Sequence, residues 1–450
     1  MKKAAVAGLL CLIIAASMLV FSISPVSCID SQDSWKTNAP MHQARGGLGV
    51  VVVNGKVYAI GGSIQDGPSA PDLPGGFVGT NEEYDPTTDR WTTKASMPTP
   101  RAYFAIGVYQ NKIYCIGGTI GIGTDDLYNL FPVYINSGVN EVYDPATDTW
   151  ENKTPMPLEK RELQANVVGD KIYLIGEDSA GVYNEMYDPL TDTWTAKTPM
   201  PSGALTYAST VLDNKIYVAA SNIYSGSRRL LIYNAETGNW GQGAPVPSDF
   251  ITGPAIATTG LMAPKRIYVL GIDQSYDPNS DNWTTIAAMP NGRYDFGVAA
   301  INDQLYAIGG YGPRGFYYRT TTSINEEYTP FGYGTIPPDV SIVSPENNMT
   351  YSTGNLSLTF TVNKPAQNMR YSLDGLSNAT INGNVTLSGL SSGSHNVTVY
   401  ATDALGNTGV SETIYFSIKE PFPTAYSMGI VAVIVLVLLG ATVYVLKRKR

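Results

Sequence analysis

The chain has 450 residues, 43% of them hydrophobic, which allows two or three domains with at least one large core. The formal net charge is −9 at pH 7. Without Lys2, Lys3 and the four basic residues at the C-terminus, 23 basic residues face 38 acidic ones, a net charge of −15. An acidic surface of this kind disfavours nucleic acid and anionic membrane surfaces as partners.

Residues 1–28 have the pattern of a secretory signal peptide. Two lysines precede a long apolar run, and small residues follow near Cys28. We predict that this segment is removed and that the rest of the chain is exported. Cys115 is then the one cysteine left, so we expect no disulfide framework.

Two phrases recur along the next 300 or so residues. One phrase reads YDPTTDRW (84–91), YDPATDTW (143–150), YDPLTDTW (187–194), YNAETGNW (233–240) and YDPNSDNW (276–283). The other precedes it as KVYAIGG (56–62), KIYCIGG (112–118), KIYLIGE (171–177), KIYVAAS (215–221) and RIYVLGI (266–272), with a sixth copy, QLYAIGG (304–310). Each repeat contains four strand-like pieces bounded by Gly, Pro, Asn and Asp, which is typical of a propeller blade.

The sixth repeat has no tryptophan of its own. The missing residue is Trp35, near the start of the mature chain, which makes one tryptophan per repeat. We therefore predict that the N-terminal strand completes the sixth blade and closes the ring.

These paired glycines, tyrosine and tryptophan resemble the kelch-repeat family over roughly residues 31–333. The resemblance implies a six-bladed kelch β-propeller. In the phrase Asp-Pro-x-Thr-Asp, the proline and the aspartates favour a tight turn, so we interpret the repeated residues as structural.

Long connections follow the second strand in repeats one, two and six, and they must lie at the same end as the links that enter each first strand. Those links carry Arg45, Arg101, Arg161 and Arg293. By resemblance to kelch proteins, these arginines would surround the mouth of a central pocket and bind carboxylates or acidic sugars. Tyrosines that could add stacking surfaces are Tyr103, Tyr207 and Tyr294.

The chain has only two histidines, His42 and His395, too few for a multi-histidine metal site or a serine–histidine–aspartate triad in the propeller. We predict no metal or cofactor and assign no catalytic residue. Resemblance to kelch-type sugar mutarotases leaves an extracellular carbohydrate-active enzyme open as an alternative.

Residues 338–418 are rich in Ser, Thr, Asn and Val, with short alternating strands. They resemble an immunoglobulin- or fibronectin-like β-sandwich without paired cysteines. Candidate N-glycosylation sites are Asn348, Asn355, Asn378, Asn384 and Asn396 in this region, and Asn152 and Asn282 in the propeller.

Residues 425–446 contain no charge and precede the basic tail 447–450. We predict a single C-terminal transmembrane helix with a cytoplasmic tail and an external propeller, as in a single-pass type I protein. A processed sorting tail is the alternative.

The combined prediction is an all-β, surface-anchored protein that uses the loop-bearing face of the propeller to bind an extracellular protein or glycan partner. A carbohydrate-active enzyme is the second hypothesis, and a structural envelope component is the third.

Overall fold

The computed structural model describes residues 32–64, 76–124, 132–162, 164–178, 181–201, 206–222, 224–248, 251, 253–314, 318–419, 434–439, 441 and 448. Within these residues lie 37 strands, one short 3-10 helix, Leu270–Ile272, and helical residues at 434–439, 441 and 448. The predicted signal peptide (1–28) lies outside the described residues, as does the basic tail (447–450) except for Arg448.

Six antiparallel four-stranded sheets, here called blades 1 to 6, follow one another along the chain. Strand β1 (Ser34–Asn38) precedes blade 1, which contains β2 (Gly49–Val53), β3 (Lys56–Ile60), β4 (Asn81–Asp85) and β5 (Arg90–Lys94). Blade 2 contains β6 (Ala105–Tyr109), β7 (Lys112–Ile116), β10 (Asn140–Asp144) and β11 (Thr149–Lys153), with the hairpin β8 (Thr119–Thr124) and β9 (Pro132–Asn136) between its second and third strands. Blade 3 contains β12 (Gln164–Val168), β13 (Lys171–Asp178), β14 (Gly181–Asp188) and β15 (Thr193–Ala196).

The remaining blades continue the pattern. Blade 4 contains β16 (Thr206–Leu212), β17 (Lys215–Asn222), β18 (Ser227–Asn234) and β19 (Asn239–Gly243). Blade 5 contains β20 (Ala255–Ala257), β21 (Ile267–Val269), β22 (Gln274–Asp277) and β23 (Asn282–Thr285). Blade 6 contains β24 (Gly297–Ile301), β25 (Gln304–Ile308), β28 (Asn325–Thr329) and β1, with the hairpin β26 (Tyr311–Arg314) and β27 (Tyr318–Thr321).

The first strands of the six blades form a closed circle. Contacts run from β2 to β6, β12, β16, β20 and β24, and from β24 back to β2. Buried apolar side chains fill the space between adjacent blades. This all-β arrangement is consistent with a propeller.

In five of the six blades, an aspartate and a tryptophan two residues apart join the blade to the one before it. In blade 2, the Asp148 carboxylate accepts a hydrogen bond from the Ala95 amide at 2.8 Å, and the Trp150 indole donates to the Ala95 carbonyl at 2.8 Å. The Tyr143 hydroxyl donates to the same Asp148 oxygen at 2.6 Å, and its ring centroid lies 5.1 Å from that of Trp150. We call this arrangement the clasp, because two side chains hold both polar groups of one backbone residue.

The clasp recurs around the ring. Its other copies are Asp89 and Trp91 on Ala39, Asp192 and Trp194 on Thr154, Asp281 and Trp283 on Ala244, and Asp33 and Trp35 on Ala287. The last copy belongs to the N-terminal segment, where β1 pairs with β28 and Trp35 stands opposite Tyr328. The start of the described chain therefore completes blade 6.

Paired glycines add a second connection near the inner strands. The amides of Gly62, Gly118 and Gly310 donate to carbonyls in the link of the next blade, at 2.8 to 2.9 Å. Gly118 has a φ of 102°, and a Cβ there would lie 2.7 Å from the Ala102 carbonyl oxygen. The second glycine is thus required by both backbone conformation and space.

Residues 340–418 form two further sheets that share one core. One sheet contains β29 (Val340–Ser344), β31 (Leu356–Val362) and β34 (Val385–Leu387). The other contains β30 (Met349–Tyr351), β32 (Asn368–Leu373), β33 (Ala379–Ile381), β35 (Gly393–Thr402), β36 (Thr408–Val410) and β37 (Ile414–Ile418). Leu358 and Leu387 from the first sheet pack with Val399 and Phe416 from the second. The immunoglobulin/fibronectin-like assignment stays a prediction.

The connection between the two parts is hydrogen-bonded to both. The Gly334 amide donates to the Met262 carbonyl in blade 5 at 2.7 Å, and the Asn407 side chain donates to the Gly334 carbonyl at 2.7 Å. The Lys364 ammonium pairs with Asp403 at 2.9 Å and donates to the Ile336 carbonyl.

The predicted transmembrane helix requires a correction. Among the residues that the structure describes, no helix is long and apolar enough to cross a membrane. The described helical residues within 425–446 are 434–439 and 441. The fold prediction was therefore wrong in adding a single transmembrane helix to the all-β chain.

Blade 4 provides a test of the clasp, because Gly238 occupies the position of the aspartate while Trp240 still donates to the Thr198 carbonyl at 3.1 Å. Gly238 has a φ of 70°, and a Cβ there would lie 3.7 Å from the Thr198 hydroxyl and 3.9 Å from the Tyr233 hydroxyl. We predict that Gly238→Asp raises the free energy of unfolding by about 1 kcal/mol, because it supplies the missing acceptor.

Thermal and urea unfolding of the full chain measure this change. Gly238→Ala is the matched control, and it should be less stable than the native protein because alanine is strained at positive φ and offers no acceptor. Equal destabilisation by both substitutions would show that the aspartate of the clasp contributes nothing in this position.

Candidate functional site

A cavity of about 860 Å³ lies on the axis of the ring and is lined by the first strands of all six blades. This volume is within the range of small-molecule pockets. Each of these strands is at the edge of its sheet, so one row of its backbone N–H and C=O groups has no strand partner. The wall is therefore polar along its backbone although many of its side chains are valine, isoleucine or alanine.

The mouth of the cavity is built from equivalent link residues of four blades. Gly47, Tyr103, Glu162 and Asp295 all have left-handed backbone conformations, with φ of 64°, 56°, 56° and 53°. Backbone hydrogen bonds of 2.8 to 2.9 Å join them head to tail, from the Gly47 amide to Asp295, from Tyr103 to Gly47 and from Glu162 to Tyr103. Three non-glycine residues here accept a strain of order 1 kcal/mol each, and strain of this kind is concentrated at functional sites.

Three of the predicted ligand-binding arginines lie elsewhere. Arg45 and Arg101 are fully buried and Arg293 is 6% exposed. Each pairs with a buried glutamate of its own blade and donates to a carbonyl of the second strand; the pairs are Arg45 with Glu82 and Ala59, Arg101 with Glu141 and Cys115, and Arg293 with Glu326 and Ala307. Burial lowers the pKa of Arg45, and the paired Glu82 opposes that shift. These guanidiniums hold the blade together and do not line the cavity.

Blade 3 has a lysine, Lys160, at the position where blades 1, 2 and 6 have the buried arginine. The Lys160 carbonyl accepts from the Gly118 amide at 2.8 Å, as the Arg101 carbonyl does from Gly62 at 2.9 Å. The Lys160 ammonium lies 4.1 Å from the centroid of the Tyr183 ring. Burial raises the pKa of Glu185, the counterpart of Glu141, and Lys160 opposes that shift. Arg161 is therefore one position later than the other arginines.

This shift places Arg161 in the wall of the cavity. Its guanidinium carbon lies 3.7 Å from the centroid of the Tyr134 ring, which comes from the hairpin β8–β9, and its Nη1 lies 3.6 Å from the Glu162 carboxylate. The Arg161 side chain is 30% exposed. A guanidinium stacked on a ring keeps its edge available for a planar, two-point contact with a carboxylate.

The three predicted tyrosines also line the cavity. The Tyr103 hydroxyl lies 3.4 Å from the Asp295 carboxylate, and the Tyr294 ring stacks on Tyr311 with centroids 5.7 Å apart. The Tyr207 hydroxyl donates to the Glu162 carbonyl, and burial raises the Tyr207 pKa well above its usual value. Arg161 and the tyrosines are thus brought together, and their ligand-binding role stays a prediction.

A polar pair inside the cavity was missed by sequence reasoning. The Asn166 side-chain nitrogen donates to the Ser209 hydroxyl at 2.9 Å, and both residues are in the lining. The Asn166 Oδ1 atom is buried and has no hydrogen-bond partner among the described residues. The available signal was a polar residue in the phrase QANVV, where blade 1 has GVVVV.

Neither a metal site nor a reactive thiol is found in the part of the chain that the structure describes. No group of three or more His, Cys, Asp or Glu residues there could hold a metal ion. Cys115 is fully buried, and burial raises its thiol pKa to about 12.

Comparisons with known proteins agree with the repeat pattern. The family model for the kelch motif matches residues 44–98 and 100–157. Kelch repeat and BTB domain-containing protein 12 from Homo sapiens is 30% identical over 33% of this chain and 25% of that protein. Kelch-like protein 15 from Danio rerio is 25% identical over 65% of this chain and 43% of that protein.

Two other matches are shorter or more distant. The influenza virus NS1A-binding protein homolog from Mus musculus is 40% identical over 20% of this chain and 13% of that protein. The solved structure of YjhT matches with a TM-score of 0.46 and 16% identity, covering 63% of this chain and 96% of that one. The chain spans less than half the length of the curated relatives described here. Together the family model and the relatives support the kelch-repeat family for the six-blade part of the chain.

The two kinds of arginine should respond differently to truncation. We predict that Arg101→Ala lowers the free energy of unfolding by about 3–5 kcal/mol, because it leaves Glu141 buried without its partner. Arg161→Ala should cost at most about 1 kcal/mol, because its ion pair is partly exposed. Urea unfolding of both variants measures the difference, and equal stability losses would contradict the role of Arg101 in holding blade 2 together.

Proposed function

We propose that this protein is a binding protein and that the end of the ring with the long connections holds a protein partner. The observation that carries the proposal is the difference between the two ends. One end carries the hairpins β8–β9 and β26–β27 next to the links that form the mouth of the cavity. At the other end, two-residue turns join the first and second strands of blades 1, 2, 3, 4 and 6.

Exposed apolar side chains at the loop-bearing end support a protein partner. Those side chains are Ile64, Ile120, Ile135, Leu158 and Tyr224, which are between 39% and 86% exposed. Apolar and aromatic side chains supply most of the binding energy in protein interfaces when a partner covers them. One kelch-repeat relative is named for binding the influenza virus NS1A protein, which supports a protein partner for this fold as well.

The mouth of the cavity gives this interface a polar anchor. Arg161 is stacked on Tyr134 and can receive a carboxylate of the partner, while Tyr103 and Tyr207 frame the opening. A glycan partner and the carbohydrate-active enzyme stay predictions from the sequence, because no further contact in the described residues favours them.

We also propose that the ring and the two-sheet unit are exported. The sequence of residues 1–28 and the seven Asn-x-Ser/Thr sites support an outward location. Of these asparagines, six are exposed and Asn396 is half-buried. Attached N-glycans on the protein isolated from its own cells would demonstrate export, and an intact N-terminus without any glycan would argue against it.

A pair of surface substitutions tests the binding proposal. A photo-crosslinking amino acid at Ile135 would first capture and identify the partner on intact cells. We predict that Ile135→Glu then weakens binding of the identified partner at least about tenfold, equivalent to about 1.4 kcal/mol, because it places a charge in an apolar contact.

Leu190→Glu is the matched control, since Leu190 is 66% exposed in the third-to-fourth turn of blade 3, at the opposite end of the ring. Its binding should equal that of the native protein. Equal weakening by both substitutions, or by Leu190→Glu alone, would rule out the loop-bearing end as the interface.

A further inference from the structure

The outward face of the second sheet of the two-sheet unit contains an unusual cross-strand pair. Asn396 on β35 stands directly opposite Tyr415 on β37 in antiparallel register. Residues directly opposite each other share one face of the sheet, with Cβ atoms about 4.5–5.5 Å apart. Asn396 begins the sequence Asn-Val-Thr, which is an acceptor pattern for N-linked glycans.

The next pair along the two strands establishes which face is outward. His395 and Phe416 stack with centroids 5.6 Å apart and are 8% and 2% exposed. Because successive side chains alternate between faces, Asn396 and Tyr415 project from the opposite, solvent side. Tyr415 is 57% exposed there, although it belongs to an interior strand of its sheet.

The surroundings of this pair are small and polar. Ser394 pairs with Ser417 two residues along, and the Thr398 and Thr413 hydroxyls lie 2.9 Å apart on the other side. Thr398 is only 9% exposed, and the Asp374 carboxylate accepts a hydrogen bond from the Asn396 backbone amide at 2.9 Å, so the open part of this face is Ser394 and the Tyr415 side chain. An exposed aromatic side chain beside a hydroxyl suits a sugar, which presents hydroxyls at its rim and an apolar C–H face to an aromatic ring.

We propose that Asn396 carries an N-linked glycan whose first sugar packs on the ring of Tyr415. The proposal rests on the proposed export of the chain and is independent of the partner bound by the ring. The donor is a lipid-linked saccharide. The Asn396 amide nitrogen forms a bond to the anomeric carbon while the bond from that carbon to the donor phosphate breaks, and the amide proton leaves with the released lipid phosphate.

The other sites of this region differ in ways that provide controls. The side-chain oxygens of Asn355 and Asn384 accept hydrogen bonds from the Gly389 and Phe360 amides, at 3.0 and 3.1 Å. Asn378 is exposed in a connection between β32 and β33. It therefore reports whether the host attaches glycans to this protein at all.

The test is made on the full chain, produced both in a secretory host that attaches N-glycans and in a bacterial cytoplasm that does not. Glycopeptide mass spectrometry measures occupancy at Asn396 and Asn378. Asn396→Gln is combined with Tyr415, Tyr415→Phe and Tyr415→Ala, and thermal unfolding is followed for each pair.

From the secretory host, we expect that Asn396 is occupied. Asn396→Gln should then lower the Tm by a few degrees, both with the native Tyr415 and with Tyr415→Phe. With Tyr415→Ala the loss should be less than half as large, and from the bacterial cytoplasm Asn396→Gln should change nothing in any background. The proposal is overturned if Asn396 is unmodified while Asn378 is occupied, or if no site carries a glycan. It is also overturned if the fall in Tm on Asn396→Gln does not depend on an aromatic side chain at position 415, or if that fall is equally large without glycosylation. None of these readouts depends on binding of a partner by the six blades. Failure of the glycan proposal can therefore be told apart from failure of the binding proposal.

Discussion

The clasp is the interaction on which the rest of the ring depends. A blade by itself has two apolar faces, and neither is buried until the next blade packs against it. Packing of large rings such as Tyr143 and Trp150 supplies attraction but little direction. The aspartate and tryptophan add direction, because together they bind the N–H and the C=O of one residue just after the outer strand of the neighbouring blade. The angle between blades is therefore determined by hydrogen bonds at the outside and by strand contacts at the inside.

Because the blades are joined at both their outer and their inner strands, the mouth of the cavity can carry strained and polar residues. The buried arginine–glutamate pairs fix the links from inside the blades, and the glycine amides fix them from the neighbouring blade. Tyr103, Glu162 and Asp295 can then adopt positive φ and direct their side chains to the opening. Breaking a buried ion pair would release a link and disturb the cavity indirectly, whereas Arg161 contacts the cavity itself. This is why loss of binding in an Arg101 variant would say little about ligand contact.

Much of the fold could be predicted because the repeat reports packing directly. Six tryptophans, with one displaced to Trp35, indicated that the N-terminal strand belongs with the last repeat, and β1 does pair with β28.

The site was harder to predict, because residues that look alike in the sequence have different roles. The phrase PLEKREL contains Lys160 and Arg161, and only the register of the blades shows that the lysine takes the buried position. Aligning Glu185 with Glu141 would have given the same answer. Asn166 could be noticed as a polar residue in an apolar strand, but its open acceptor depends on contacts from blade 4. The apolar composition of 425–446 suggested a spanning helix, but no helix among the described residues is long and apolar enough to cross a membrane.

The most direct measurement of this account is the unfolding free energy of Asp33→Ala in the full chain. Asp33 accepts from the Ala287 amide at 2.8 Å and from the Tyr328 hydroxyl at 2.7 Å, so it joins the N-terminal segment to blades 5 and 6 at once. If the clasp closes the ring, this substitution should lower the unfolding free energy by about 1–3 kcal/mol, since the buried Tyr328 and the Ala287 amide both lose their acceptor. It should do so in a single transition of the six-blade part. A variant as stable as the native protein would contradict closure of the ring by the clasp.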